Sequence, residues 1–164
     1  MRFTLIDRVL ELEPGSRIKA MKNLSLAEEY LADHFPGFPV MPGVLMLEAM
    51  TQASAWLVRA SEDFAHSLVL LKAAKNVKYG SFVEPAQALE ITAEILDQTE
   101  TETRIKAQGT VNGRSTVSAR LVLEKSNLAD EDPSRAVVDT FIVRKQRELF
   151  AVLWHPPVEA STAK

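Results

Sequence analysis

The 164-residue chain predicts an α+β domain, an antiparallel sheet wrapped around one apolar helix. Three observations carry that expectation. From Gly43 to Ser61 apolar residues occupy nearly every helical face as far as Trp56, and such a helix must be enclosed. Leu89, Ile91, Ala93 and Ile95 alternate with Glu90, Thr92 and Glu94, the period of a strand with one buried face. Asn112-Gly113, a favoured two-residue hairpin turn because both positions tolerate positive φ, joins the alternation of Ile105, Ala107, Gly109 and Val111 to that of Val117, Ala119, Leu121 and Leu123.

The remaining elements follow from the same periodicities. Leu5, Val9 and Leu12 stand near helical spacing and predict a short helix ended by Pro14-Gly15. Ser16 to Leu24 alternates, with Ile18 and Ala20 opposite Arg17 and Lys19, and reads as a strand. Residues 25–33 hold one helical turn. Ser67 to Ala74 is a continuous apolar run, read as a strand facing the core and continuing through Val83 until Glu84-Pro85. Ser126 to Pro133 is a polar linker, with Asp132-Pro133 as N-cap and first residue of an added C-terminal helix. Val138, Phe141, Ile142, Leu149 and Leu153 form that helix's expected apolar stripe, to pack on the sheet of its own subunit or on a neighbour, and Pro156-Pro157 stops it. The last residues, Val158 to Lys164, are expected to be disordered. The division is thus one domain over 1–125 and a linker, helix and tail over 126–164.

Composition narrows the function. A net charge of −3 argues against a nucleic-acid binder. The absence of cysteine removes disulfides and thiolate metal sites, and His66 and His155 lie far from His34 in the sequence, so no metal is expected. Glu48, Gln52 and Arg59 interrupt the apolar stretch 43–60, which therefore reads as a buried helix and not a membrane span. The first ten residues lack a signal-peptide pattern, and a bacterial cytoplasm is the expected location.

The chemistry is concentrated between His34 and Gln52. Pro36, Pro39 and Pro42 keep residues 34–42 extended or turning, so His34 lies in a stiff loop, whereas Glu48 sits in the first turns of the apolar helix. A histidine titrating near ~6.5 suits a general base, and a glutamate near ~4.3 must be raised by burial before it can donate a proton. Val44, Leu45, Met46, Leu47, Ala49 and Met50 are expected to supply that burial. Taken singly, His34 can simply bond its loop and Glu48 can simply complement the helix dipole. Gln52, four residues after Glu48, shares its face and can orient the carboxylate or serve a loop carbonyl.

His34, Phe35, Pro36, Gly37, Pro39, Met41, Pro42, Gly43, Glu48, Ala49 and Gln52 together resemble the active-site signature of the FabZ-type 3-hydroxyacyl-[acyl-carrier-protein] dehydratases. The likeness covers roughly residues 5–124. It implies a hot-dog fold, with His34 and Glu48 as a catalytic pair contributed by opposite subunits of a homodimer, the dimers often assembling in threes. It also implies that the backbone N–H of Gly43 meets the thioester oxygen. The substrate is then a 3-hydroxyacyl chain on the phosphopantetheine arm of acyl carrier protein, with no further cofactor. Glutamate at 48 favours this type over the dehydratase-isomerases, which carry aspartate.

Leu45, Met46, Met50, Trp56 and Phe82 are candidate walls of the acyl tunnel, and Arg144, Lys145 and Arg147 are candidates for docking an acidic carrier. Ala86-Gln87 stands where the family commonly has Gly-Asp, and Thr51 where it commonly has alanine. These departures and the added helix suit a specialised pathway. The competing readings are a hot-dog thioesterase, a dehydratase-isomerase and a non-catalytic acyl-carrier binding module. No nucleotide loop or serine triad is present, and Gly109 to Gly113 belongs to the hairpin.

Overall fold

The computed structural model describes residues 4–156. Six strands, β1 (Arg8–Glu13), β2 (Arg17–Asn23), β3 (Leu68–Tyr79), β4 (Ala88–Gln98), β5 (Glu102–Val111) and β6 (Arg114–Ser126), form one sheet in the order β1-β2-β4-β5-β6-β3. Every neighbouring pair is antiparallel. Helix α1 (Gly43–Ser61) packs on the sheet through Met46, Met50, Ala53 and Leu57, all buried against residues such as Ile18, Ile91, Ile105 and Leu123. Asn112 and Gly113 both have positive φ, 50° and 76°, as the β5–β6 turn requires.

Three expectations need correction. Residues 8–13 form a strand and not a helix. The register with β2 slips between Val9 and Glu11, so Val9 opposes Ala20 and Leu12 opposes Ile18. One extra residue turns the inward period from two to three, which imitates helical spacing. Second, β3 ends at Tyr79 and does not face the core along its length: it is an edge strand, with Leu70, Leu71 and Tyr79 exposed. A strand whose second neighbour is absent from the chain cannot bury an apolar run by itself.

The third correction concerns the C-terminal helix α2 (Ala136–Leu153), which follows a 3-10 turn at Pro133–Arg135 capped by Asp132. Of the expected stripe only Leu153 is buried, while Val138, Phe141 and Leu149 are exposed. The packed face instead carries Phe150, whose ring lies 5.5 Å from that of Trp56 and 5.6 Å from that of Phe64. Arg144, Lys145 and Arg147 pair with Glu148 and Asp63. The expected disorder of 158–164 lies outside the described residues.

The buried Asp139 carboxylate ties α2 to the domain by accepting from Ser67 Oγ and from the N–H groups of Leu128 and Ala129, both at 2.9 Å. Burial pushes this carboxyl up, but the hydrogen bonds from Ser67, Leu128 and Ala129 and the charge of Arg135 outweigh it, leaving it below its ordinary range. A folded-state pKa below the unfolded one gives stability that is complete above the ordinary carboxylate pKa and lost as pH falls through the folded value. Thermal unfolding against pH should therefore show a steeper acid decline for the wild type than for Asp139→Asn, which should already melt lower at neutral pH. Parallel acid slopes would remove Asp139 from this account.

Candidate active site

The loop before α1 is closed on itself. His34 N–H donates to Tyr30 O at 3.1 Å, Val40 N–H to His34 O at 3.0 Å, and Phe35 and Phe38 exchange two backbone hydrogen bonds. Gly37 takes φ +78°, which a residue with a side chain rarely adopts. Met41 N–H donates to Val83 O at 2.9 Å, anchoring the loop to the segment after β3. The imidazole is fixed as well: Nδ1 lies 2.9 Å from Val40 O. A carbonyl can only accept, so Nδ1 carries a proton, and in the neutral imidazole Nε2 is the nitrogen with the lone pair.

His34 lines a groove of about 350 Å³ with Gly43, Met46, Tyr79, Ser81 and Phe82. Gly43 opens α1, where first-turn N–H groups have no partner within the helix and the dipole favours negative charge. Its φ lies outside the left-handed region, so space and not backbone conformation is what a side chain would contest. A Cβ there would stand 3.0 Å from Tyr79 Cε1.

Glu48 lies elsewhere. Together with Gln52, Trp56 and Arg59 of α1, Leu70 of β3 and Gln146 of α2 it lines a second cavity of about 360 Å³. Gln52 Nε2 donates to Glu48 Oε1 at 2.9 Å, while Gln52 Oε1 accepts from Leu5 N–H at 2.9 Å. Gln52 thus meets both the carboxylate and a backbone group, though the latter is a donor and not a carbonyl. Glu48 is only partly buried in the single chain, short of the apolar enclosure expected for it.

Within one chain, then, the structure places His34 and Gly43 in one cavity and Glu48 and Gln52 in another. Of the candidate tunnel walls, Met46 and Phe82 line the first cavity and Trp56 the second, whereas Met50 is core and Leu45 packs against it. Tyr79, Arg59 and Gln146 escaped sequence reasoning. Arg59 was within its reach, since 48, 52, 56 and 59 fall on one helical face; Tyr79 and Gln146 arrive through tertiary packing alone.

The chain matches the FabA-like domain over residues 1–124. It is 43% identical over 93 residues to a 3-hydroxyacyl-[acyl-carrier-protein] dehydratase FabZ of Wolbachia pipientis wMel, a match covering 57% of this chain and 65% of that one. It is 38% identical over 112 residues to the enzyme of that name from Ruminiclostridium cellulolyticum, covering 68% of this chain and 79% of that one. Among solved structures it is similar to the dehydratase heterocomplex ApeI:P from Xenorhabdus doucetiae, with a TM-score of 0.64, 20% identity, and coverage of 77% of this chain and 85% of that one. With the match to the domain extending from residue 1 to residue 124, within β6, and the sheet enclosing α1 as the hot-dog fold requires, the chain belongs to the FabA-like family.

Proposed function

We propose that the protein dehydrates 3-hydroxyacyl-acyl carrier protein to the trans-2-enoyl thioester in a cytoplasmic route of fatty-acid or related lipid synthesis. Residues 1–125 are the catalytic domain of a homodimer and 126–164 an addition to it. One observation carries the reading: the two cavities lie at opposite ends of β3, an exposed edge strand. Val69, Leu70 and Leu71 at its start line the Glu48 cavity, and Tyr79 at its end lines the His34 groove. Antiparallel pairing of β3 with its copy lays the start of one strand beside the end of the other. Each site then combines His34 and Gly43 of one chain with Glu48 of the partner subunit.

In that site His34 Nε2 removes the proton from the carbon α to the thioester, and the charge gathering on the thioester oxygen is met by the Gly43 N–H at the start of α1. Glu48 gives its proton to the β-hydroxyl, which leaves as water, and proton return from His34 resets the pair. Gln52 holds the Glu48 carboxylate at the angle this transfer needs. The carrier protein delivers the substrate on its phosphopantetheine arm.

Incubation with 3-hydroxyacyl- and crotonyl-carrier protein, followed by mass spectrometry, tests the assignment. Interconversion of hydrated and enoyl thioesters is expected. Release of free carrier thiol would indicate a thioesterase, and carrier binding without turnover would indicate a binding module; either refutes the proposal.

A further inference from the structure

The Glu48 cavity continues well past the carboxylate. Glu48, Gln52, Trp56 and Arg59 share one face of α1, and the eleven helical steps from Glu48 to Arg59 span ~16 Å. At the far end Arg59 lines the cavity with its guanidinium over the Trp56 ring, 5.3 Å from the centroid. Its Nε is buried with no hydrogen-bond partner, and among the described residues no carboxylate pairs with it. Burial pulls the group down to about 10, with no acid to offset it. Helix α2 contributes Leu149 and Gln146 to the cavity wall; Gln146 Nε2 donates to Ser67 O at 2.9 Å and its Oε1 is buried without a partner.

We propose that this end of the cavity is a carboxylate subsite, so that the substrate is a 3-hydroxyacyl thioester whose far terminus bears a carboxylate. The inference rests on the dehydratase reading. With the thioester at Gly43 of one subunit and the β-hydroxyl at Glu48 of the other, the rest of the acyl chain runs along α1 toward Arg59. Trp56 and Leu149 give its methylenes apolar walls. A methyl terminus would bury the guanidinium further and leave its donors unpaired, whereas a carboxylate matches its planar fork with two hydrogen bonds. Gln146 contributes an acceptor, which makes a terminal hydroxyl the competing occupant. The added helix is, on this account, a determinant of specificity.

The test compares kcat/KM for three carrier-bound 3-hydroxyacyl thioesters of matched length, ending in methyl, hydroxyl or carboxylate, in wild type, Arg59→Leu and Arg59→Lys. Thermal shifts with free decanoate and decanol read the subsite without turnover. The wild type should favour the carboxylate terminus about tenfold or more. In Arg59→Leu the ratio of carboxylate to methyl should collapse toward one, with Arg59→Lys between. A preference for methyl or hydroxyl, or an equal loss on all three in Arg59→Leu, overturns the subsite and leaves the dehydratase standing. No turnover, but stabilisation by decanoate over decanol that disappears in Arg59→Leu, overturns the dehydratase reading and keeps the subsite. Inert enzyme without that difference overturns both.

Discussion

Neither His34→Ala nor Glu48→Gln should turn over substrate appreciably, each losing about 10²–10⁴ in kcat, yet a mixture of the two should work. If each site draws its histidine and glutamate from different chains, a mixed dimer has one site carrying both substitutions and one carrying neither. Random re-association of equal amounts makes half of the dimers mixed, so about a quarter of the wild-type sites return. The experiment is co-refolding or co-expression of the two variants with differently tagged chains, followed by the carrier-protein assay. Recovered activity in the doubly tagged fraction alone would assign the site to two chains. Silence in that fraction, with both variants folded and dimeric, would place the pair within one chain and contradict the separation of the two cavities along β3.

The second large effect is expected at Gly43. The backbone there suits any residue, so the constraint is the Tyr79 ring, which a Cβ would approach to 3.0 Å at Cε1 and 3.3 Å at Cδ1 and Cζ. Tyr79 is exposed and lines the His34 groove, so it can swing aside, but only by entering or reshaping the space proposed for the thioester. Gly43→Val should therefore lower kcat by about 10²–10³, the scale of a lost oxyanion donor, while the melting temperature moves little. Gly43→Ala should lie between, its single methyl asking less of the ring. A collapse of stability in parallel with activity would make Gly43 a packing residue and remove it from the mechanism.

The sequence exposes some elements better than others, and the reasons are local. Both boundaries of α1 were legible, because Pro42 cannot extend a helix backwards and the apolar run needs a helix to bury it on every side. The β5–β6 hairpin was equally plain from Asn112-Gly113. The first strand imitates a helix in sequence because the bulge between Val9 and Glu11 rewrites its inward period, and that bulge exists only in the pairing with β2. Helix α2 has apolar residues on two faces, and tertiary contacts choose between them: Phe150 stacking on Trp56 and Asp139 bonding Ser67 turn Val138 and Phe141 outward. The four-residue spacing of Glu48 and Gln52 puts them on one helical face, where their side chains share a hydrogen bond. Tyr79 was out of reach, since nothing in the run from Lys75 to Val83 says which residue will face Gly43.

Gln52 has a further consequence for how the protein is handled. Its amide joins Glu48 to the main chain at Leu5, so the segment ahead of β1 is a structural support for the Glu48 carboxylate. Leu5 is also a buried core residue, so a fusion or trimming that displaces it would loosen the interior as well as let the carboxylate turn. Preparations that differ only at that end should thus differ in specific activity, and a carboxy-terminal tag is the safer choice for comparing variants.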